Sequence, residues 1–187
     1  MRRFAFVLVF AFAALCSVSC NELDAPFKLK KVDDVCTQMD DIDFMSFCYK
    51  SFDVNGDSRV SMSEAAAVHV MNLYSKHIKS LNGIEYFANL TSLQCGANKL
   101  TSLDVSKNTA LQSLDCNHNK LTSLDVSKNS ALQTLNCESN QLTSLDVSKN
   151  TALKELYCAF NPLTTIYLSQ GQKPHIERPI TCTIVYI

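Results

Sequence analysis

The chain has 187 residues, room for one domain or a short array of repeats. Its 17 basic and 18 acidic residues leave a net charge of −1, which gives no electrostatic reason to expect nucleic acid, a partner that requires a basic face. With 4 Gly, 4 Pro and no Trp, the composition is neither disordered nor collagenous.

The first element is an address. Arg2 and Arg3 precede an unbroken apolar run from Phe4 to Leu15. The run is shorter than the about 20 residues a membrane span takes, and has the length of a secretory h-region. Ser17, Val18, Ser19 and Cys20 come next. This pattern resembles a bacterial lipobox, with Ser17 where that family prefers Leu. The resemblance implies a signal peptide at 1–19, a lipidated Cys20 and a tether at 20–36. Ordinary secretion with cleavage near Ser19 is the alternative. Asn21 stands where Asp often signals inner-membrane retention, and Glu22 and Asp24 resemble a surface-export tether. Outer-membrane anchoring, with the fold in an oxidising compartment, is the expectation.

Residues 53–64 carry Asp53, Asn55, Asp57 and Glu64 at the first, third, fifth and twelfth places of D-x-[DN]-x-[DN]-G-x₅-E. Arg59 would offer its carbonyl at the seventh place and Ser61 its side chain at the ninth. Calcium is a hard cation that wants six to eight oxygens, and a terminal Glu supplies two. Thr37 to Asp40 reads as a capping box for an entering helix. Ser61 to Glu64 caps an exiting helix expected to run through Ala65, Ala66, Ala67, Val68 and Met71. Tyr49 and Phe52 flank the loop as aromatics do in EF-hands. The segment 37–77 thus resembles an EF-hand, which implies one calcium ion. Ser58 departs from the Gly of the sixth place, where φ is positive; this costs roughly 1 kcal/mol and points to weak affinity. The other reading is a degenerate hand kept as a helical cap.

Beyond the loop lies a repeat of 21 residues. Leu90, Leu111, Leu132 and Leu153 each begin an L-x-x-L-x-C-x-x-N-x-L unit, with Cys95, Cys116, Cys137 and Cys158 in register. Asn98, Asn119, Asn140 and Asn161 come three residues after each Cys, and are expected to bond backbone groups in a ladder. The second half of each unit repeats Asp104, Asp125 and Asp146, and then Asn108, Asn129 and Asn150. This resembles the leucine-rich-repeat family. The implied fold is an α/β solenoid: about four repeats plus a half repeat over 78–170, an EF-hand-like helical cap before them and a β cap at 171–187. The arrangement is similar to internalin-like proteins, in which calcium would brace the cap. The ladders break where Tyr167 and Gly171 replace Asp and Asn, so one or two closing strands are expected at the end.

The four repeat cysteines would stack about 4.8 Å apart with parallel side chains. Zinc needs thiolates that converge, and a disulfide needs Cβ atoms about 3.8 Å apart. They read as small buried apolar groups. Whether Cys36 and Cys48 pair is left open by spacing alone.

Leu93 and Cys95 should point inward, and Ser92, Gln94 and Gly96 outward. The outward strand face is where a solenoid binds. Gln94, Asp115, Asn117, Asn136, Glu138, Tyr157 and Phe160 are the candidate ligand-binding residues, with Tyr157 and Phe160 as aromatic anchors. The partner would be a protein or peptide; a glycan, or a purely structural surface role, is the alternative. The chain has no G-x-S-x-G, H-E-x-x-H or phosphate loop, and its four histidines are scattered, so no catalytic residues are expected.

Overall fold

The computed structural model describes residues 33–187; residues 1–32, with the signal peptide, Cys20 and most of the tether, lie outside the described residues. The described chain begins with a helical cap. A 3-10 turn at Val35–Gln38 leads to helix α1, Ile42–Phe52, and the shorter helix α2, Met62–Ala66.

Two expectations change here. Residues 33–36, expected in the tether, belong to the cap, into which Asp34 is packed. Its carboxylate accepts from the N–H groups of Cys36 and Val60 and from the Tyr49 hydroxyl, the last at 2.7 Å. Nor does Thr37 cap α1. Its hydroxyl donates back to the Asp34 carbonyl and closes the 3-10 turn. Asp41, directly before α1, is the cap: its Oδ1 accepts from Asp43 and Phe44 N–H at 3.0 Å.

Asp41 also ties the cap to the coil. Its Oδ2 accepts from Lys79 N–H at 2.7 Å and Ser80 N–H at 3.3 Å. Burial pushes its carboxyl up, but the N–H donors of Lys79, Phe44, Ser80 and Asp43 outweigh it and hold the group below the usual carboxylate range. Apolar packing completes the join. Phe87 lies 6.5 Å from Phe44 and 5.5 Å from Phe52, centroid to centroid. Both Phe44 and Phe87 are fully buried.

The remainder is a solenoid of parallel strands. The larger sheet has the order β1 (Val70–Asn72), β2 (Ser92–Gln94), β3 (Ser113–Asp115), β4 (Thr134–Asn136), β6 (Glu155–Tyr157), β8 (His175–Glu177). The smaller has the order β5 (Ser144–Asp146), β7 (Thr165–Leu168), β9 (Thr183–Tyr186). An Asp104–Asp125 bridge continues the Asp ladder that leads into β5. Strands β2 and β3 are three residues long, each with one inward leucine, Leu93 or Leu114, flanked by two outward residues.

The solenoid is longer than its clear repeats. The helix expected to reach Met71 stops at Ala66, and Val70–Asn72 pairs with Ser92–Gln94 as the first strand. The alternation explains it: Met71 and Leu73 are buried while Val70 and Asn72 face out, which is a strand's period and not a helix's. The boundary between cap and coil therefore falls before Val70, not at 78. At the other end, β8 pairs with β6 through Leu156 and Ile176, and β9 with β7. Register advances by 21 residues from Ser92 to Ser113, to Thr134 and to Glu155. It advances by 22 from Val70 to Ser92 and by 20 from Glu155 to His175. Those single-residue slips hide the end turns from a search for period 21.

Candidate functional site

The frame of the site is a pair of amide ladders. Asn119 Nδ2 donates to the Cys95, Cys116 and Asn117 carbonyls at 3.0 to 3.1 Å, while its Oδ1 accepts from Leu100 N–H at 3.0 Å. Asn98, Asn140 and Asn161 repeat this in their own turns. A second ladder runs through Asn108, Asn129 and Asn150, each donating to two carbonyls of the preceding turn. It does not end where the Asn pattern ends. Gln172 takes the next place, donating to the Asn150 carbonyl at 2.8 Å. One more methylene lets residue 172 reach where residue 171 would have, and Gly171 takes the left-handed turn, φ 82°.

Between strand and Asn, each turn holds a left-handed residue: Ala97, His118, Ser139 and Phe160, with φ between 49° and 54°. None is Gly. The N–H groups of Ala97, His118 and Ser139 each bond the carbonyl one turn on, so the stack holds a conformation that costs a lone residue about 1 kcal/mol. This aims Phe160 out of the coil, 79% exposed.

The thiols of Cys95, Cys116, Cys137 and Cys158 form a buried column and are free. Burial pushes Cys116 up to about 12 and Cys158 to about 12, and Cys95 and Cys137 well above the ordinary thiol range. Cys36 and Cys48 are likewise free and buried.

Strand register brings four of the candidate ligand residues into one row. Gln94, Asp115, Asn136 and Tyr157 stand side by side, and Glu177 extends them. Asn117, Glu138 and Phe160 lie just past the strands' ends. Several of these side chains also serve the turns. Asp115 Oδ1 accepts from Asn117 N–H and Asn136 Oδ1 from Glu138 N–H, both at 3.1 Å. Asn117 is half-buried, its Oδ1 packed so close to Gly96 that a Cβ there would lie 2.1 Å away. Gly96, expected on the outer face, is therefore covered. Glu155, His175, Ile176 and Glu177 join Tyr157 at the C-terminal end. Sequence spacing misses the last three as site residues because β8 is off the period. Pairing Leu156 with an apolar residue 20 positions on would find them. The charges of Glu155, Glu177 and Glu138 push the Tyr157 hydroxyl up.

In the 53–64 loop, Ser58 adopts the left-handed conformation that the sixth place requires, φ 64°. Asp53 accepts from the N–H groups of Gly56, Asp57 and Ser58. Asn55 and Asp57 each accept from the N–H two residues on, and Asn55 Nδ2 reaches Asp57 Oδ2 at 3.3 Å. Glu64 reaches back across the loop: Oε1 accepts from Val54 and Asn55 N–H, and Oε2 from Ser61 N–H. With the Ser61 side chain on Glu64 N–H, this is a full capping box. The Ser61 contacts hold the Glu64 carboxyl below its usual range. Among the described residues no three His, Cys, Asp or Glu side chains are grouped closely enough to hold a metal ion. The loop's carboxylates are turned onto its own backbone N–H groups.

The model of the family described as Leucine Rich repeats (2 copies) matches residues 109–150. No curated protein matches the chain. The functional domain of InlJ from Listeria monocytogenes, described as including a cysteine ladder, is similar at 31% identity and TM-score 0.65, over 81% of this chain and 37% of that one. A leucine-rich-repeat protein of Leptospira interrogans is similar at 28% identity and TM-score 0.53, over 56% of this chain and 29% of that one. An internalin, InlF, of Listeria monocytogenes shares the fold at 17% identity and TM-score 0.55, over 84% and 58%. The chain thus spans between 29% and 58% of the length of these relatives. The stacked parallel turns and the ladders form a leucine-rich-repeat solenoid, similar in fold to the internalins.

Proposed function

We propose that this is an exported, non-catalytic binding module whose outward strand face takes a protein or peptide. The observation that carries the reading is the row Gln94, Asp115, Asn136, Tyr157, held side by side by the register of one parallel sheet. Polar outward groups around a few aromatics, on a face too open to desolvate a catalytic acid or base, suit recognition and not turnover.

Two further parts belong to the reading. A lipid on Cys20 would hold the chain to the outer membrane and leave the coil facing outward. Calcium in the 53–64 loop would be structural. Asp53, Asn55, Asp57, Glu64, the Arg59 carbonyl and Ser61 would hold it, and it would fix the end of α1 against the start of α2. The support is the left-handed Ser58 and the reach of Glu64 across the loop.

The test is site-specific photocrosslinking in whole cells that make the full chain. A photoreactive residue at Asn136 samples the outward face, and one at Ser123 the opposite side. The expected result is a discrete adduct from Asn136 alone. Identical adducts from both positions, or none from either, would overturn the reading.

A further inference from the structure

The outward face is not uniform. At its C-terminal end Glu138, Phe160, Ile176, Glu177, Arg178 and Ile180 line a groove of about 590 Å³. It carries large apolar side chains left in water: Phe160 is 79% exposed and Ile180 100%. Exposed apolar groups grouped around one concavity mark contact sites. The groove's rim is acidic. Glu138 and Glu177 line it, and Glu155 stands beside Tyr157 on the neighbouring strand.

One cation, Arg178, also lines the groove, against the carboxylates of Glu138 and Glu177. The Arg178 guanidinium donates to the Cys182 carbonyl, and Lys154 donates to Gln133 at 2.9 Å. The closest approach to a rim carboxylate is His175, 3.7 Å from Glu177. Strand β8 ends the six-stranded sheet, so its outer edge has no strand beside it among the described residues. Such an edge accepts one more extended segment through its main chain.

We propose that this groove holds an extended segment of a partner protein in which lysine or arginine alternates with apolar residues. The segment would lie along β8, with cations set among Glu138, Glu155 and Glu177 and apolar side chains on Phe160 and Ile180. The proposal rests on the outward face being the binding surface and names the partner's chemistry at one end of it. Tyr157 and Phe160 add aromatic faces on which a cation can rest. Complementary charge of this kind sets partner choice and the rate of encounter.

The experiment titrates the protein with three short capped synthetic peptides, alternating valine with lysine, with serine or with glutamate, at low and high salt. The lysine peptide should bind, the serine peptide more weakly and the glutamate peptide not at all. Salt should weaken the lysine peptide's binding. Replacing Glu138, Glu155 and Glu177 together by Gln should weaken it about tenfold. Phe160→Ser should weaken the lysine and serine peptides alike, and Asp104→Asn, on the other side of the coil, should change neither. Equal binding of all three peptides would overturn the charge assignment and leave the outward face as the binding surface. No binding of the lysine peptide, or unchanged binding by the triple variant, would overturn the proposal, and the crosslinking result at Asn136 stands apart from both. Sedimentation that shows pairing lost in Phe160→Ser would make a second copy the occupant, and would overturn it as well.

Discussion

Asn119 donates to the Cys95 carbonyl at 3.0 Å, and Cys95 lies one full turn earlier in the coil. The same amide carbonyl receives Leu100 N–H, also from the earlier turn. One side chain therefore joins two turns that share no other polar side-chain link at that corner. Asn119→Ala removes the donor from three carbonyls and the acceptor from a buried N–H at once. Each buried group left without a partner costs about 1–3 kcal/mol, part of which water recovers. The expected loss is about 2–4 kcal/mol. Urea denaturation should show it as a lower midpoint with an unchanged slope, and a midpoint within error of the parent would contradict it.

How far the sequence reveals this frame depends on the period. The Asn ladder, the inward leucines and the cysteine column can all be read directly, because four units in exact register fix which side of a strand each residue takes. The ends cannot. Val70–Asn72 comes after a helix start whose alanines read as helix, and only its contact with Ser92–Gln94 makes it a strand. His175–Glu177 falls one residue early, and Gln172 replaces Asn from the next position. The left-handed residues are invisible for another reason. Ala97, His118, Ser139 and Phe160 carry no turn signature of their own, since the neighbouring turns impose the conformation. The candidate site divides in the same way: its central row is legible, and its C-terminal end emerges only with β8.

That imposed conformation yields a second prediction. Ser139 has φ 52° and donates to the Ala159 carbonyl at 3.1 Å. Gly reaches this region without the Cβ clash, though it leaves the unfolded chain more flexible. Ser139→Gly should raise stability by up to about 1 kcal/mol, whereas Ser139→Val should lower it by more than that, because a β-branched residue fits worst there. Thermal melts of the two variants should move in opposite directions. Movement in the same direction would mean that the stack does not hold residue 139 under strain.

The cysteine column makes the coil sensitive to alkali. The Cys116 thiol, pushed up to about 12 by burial, stays protonated in the folded chain, while in the unfolded chain it ionises near 9.0. Its folded value is raised, so its contribution is complete below pH 9 and is lost as pH rises toward 12. The unfolded state sheds the proton first, and stability falls with a slope of about 1.4 kcal/mol per pH unit for that thiol. Cys158, also pushed to about 12, acts in the same sense. The chemical midpoint should hold steady from pH 7 to 8.5 and drop beyond it, and Cys116→Ala should flatten the drop while lowering the plateau. A midpoint independent of pH up to 11 would sink this account.

The loop at 53–64 gives the last prediction. Ser58 sits at φ 64° with its N–H on Asp53, so the turn is made without the residue that makes it most easily. Ser58→Gly should relieve about 1 kcal/mol and, if the turn is formed only when calcium binds, tighten calcium about fivefold. If the turn is already formed without calcium, as the Asp53 and Glu64 contacts to backbone N–H favour, the gain appears as stability in chelator instead. Calorimetric titration of chelated protein, with melts at each calcium level, separates the two. Glu64→Gln removes the twelfth-place carboxylate but keeps a side chain able to accept from Val54 N–H. It should abolish the calcium heat and the calcium-dependent rise in Tm, while the melt in chelator moves little. No heat from the parent and none from Ser58→Gly would leave the loop as a calcium-free cap, held by its own hydrogen bonds.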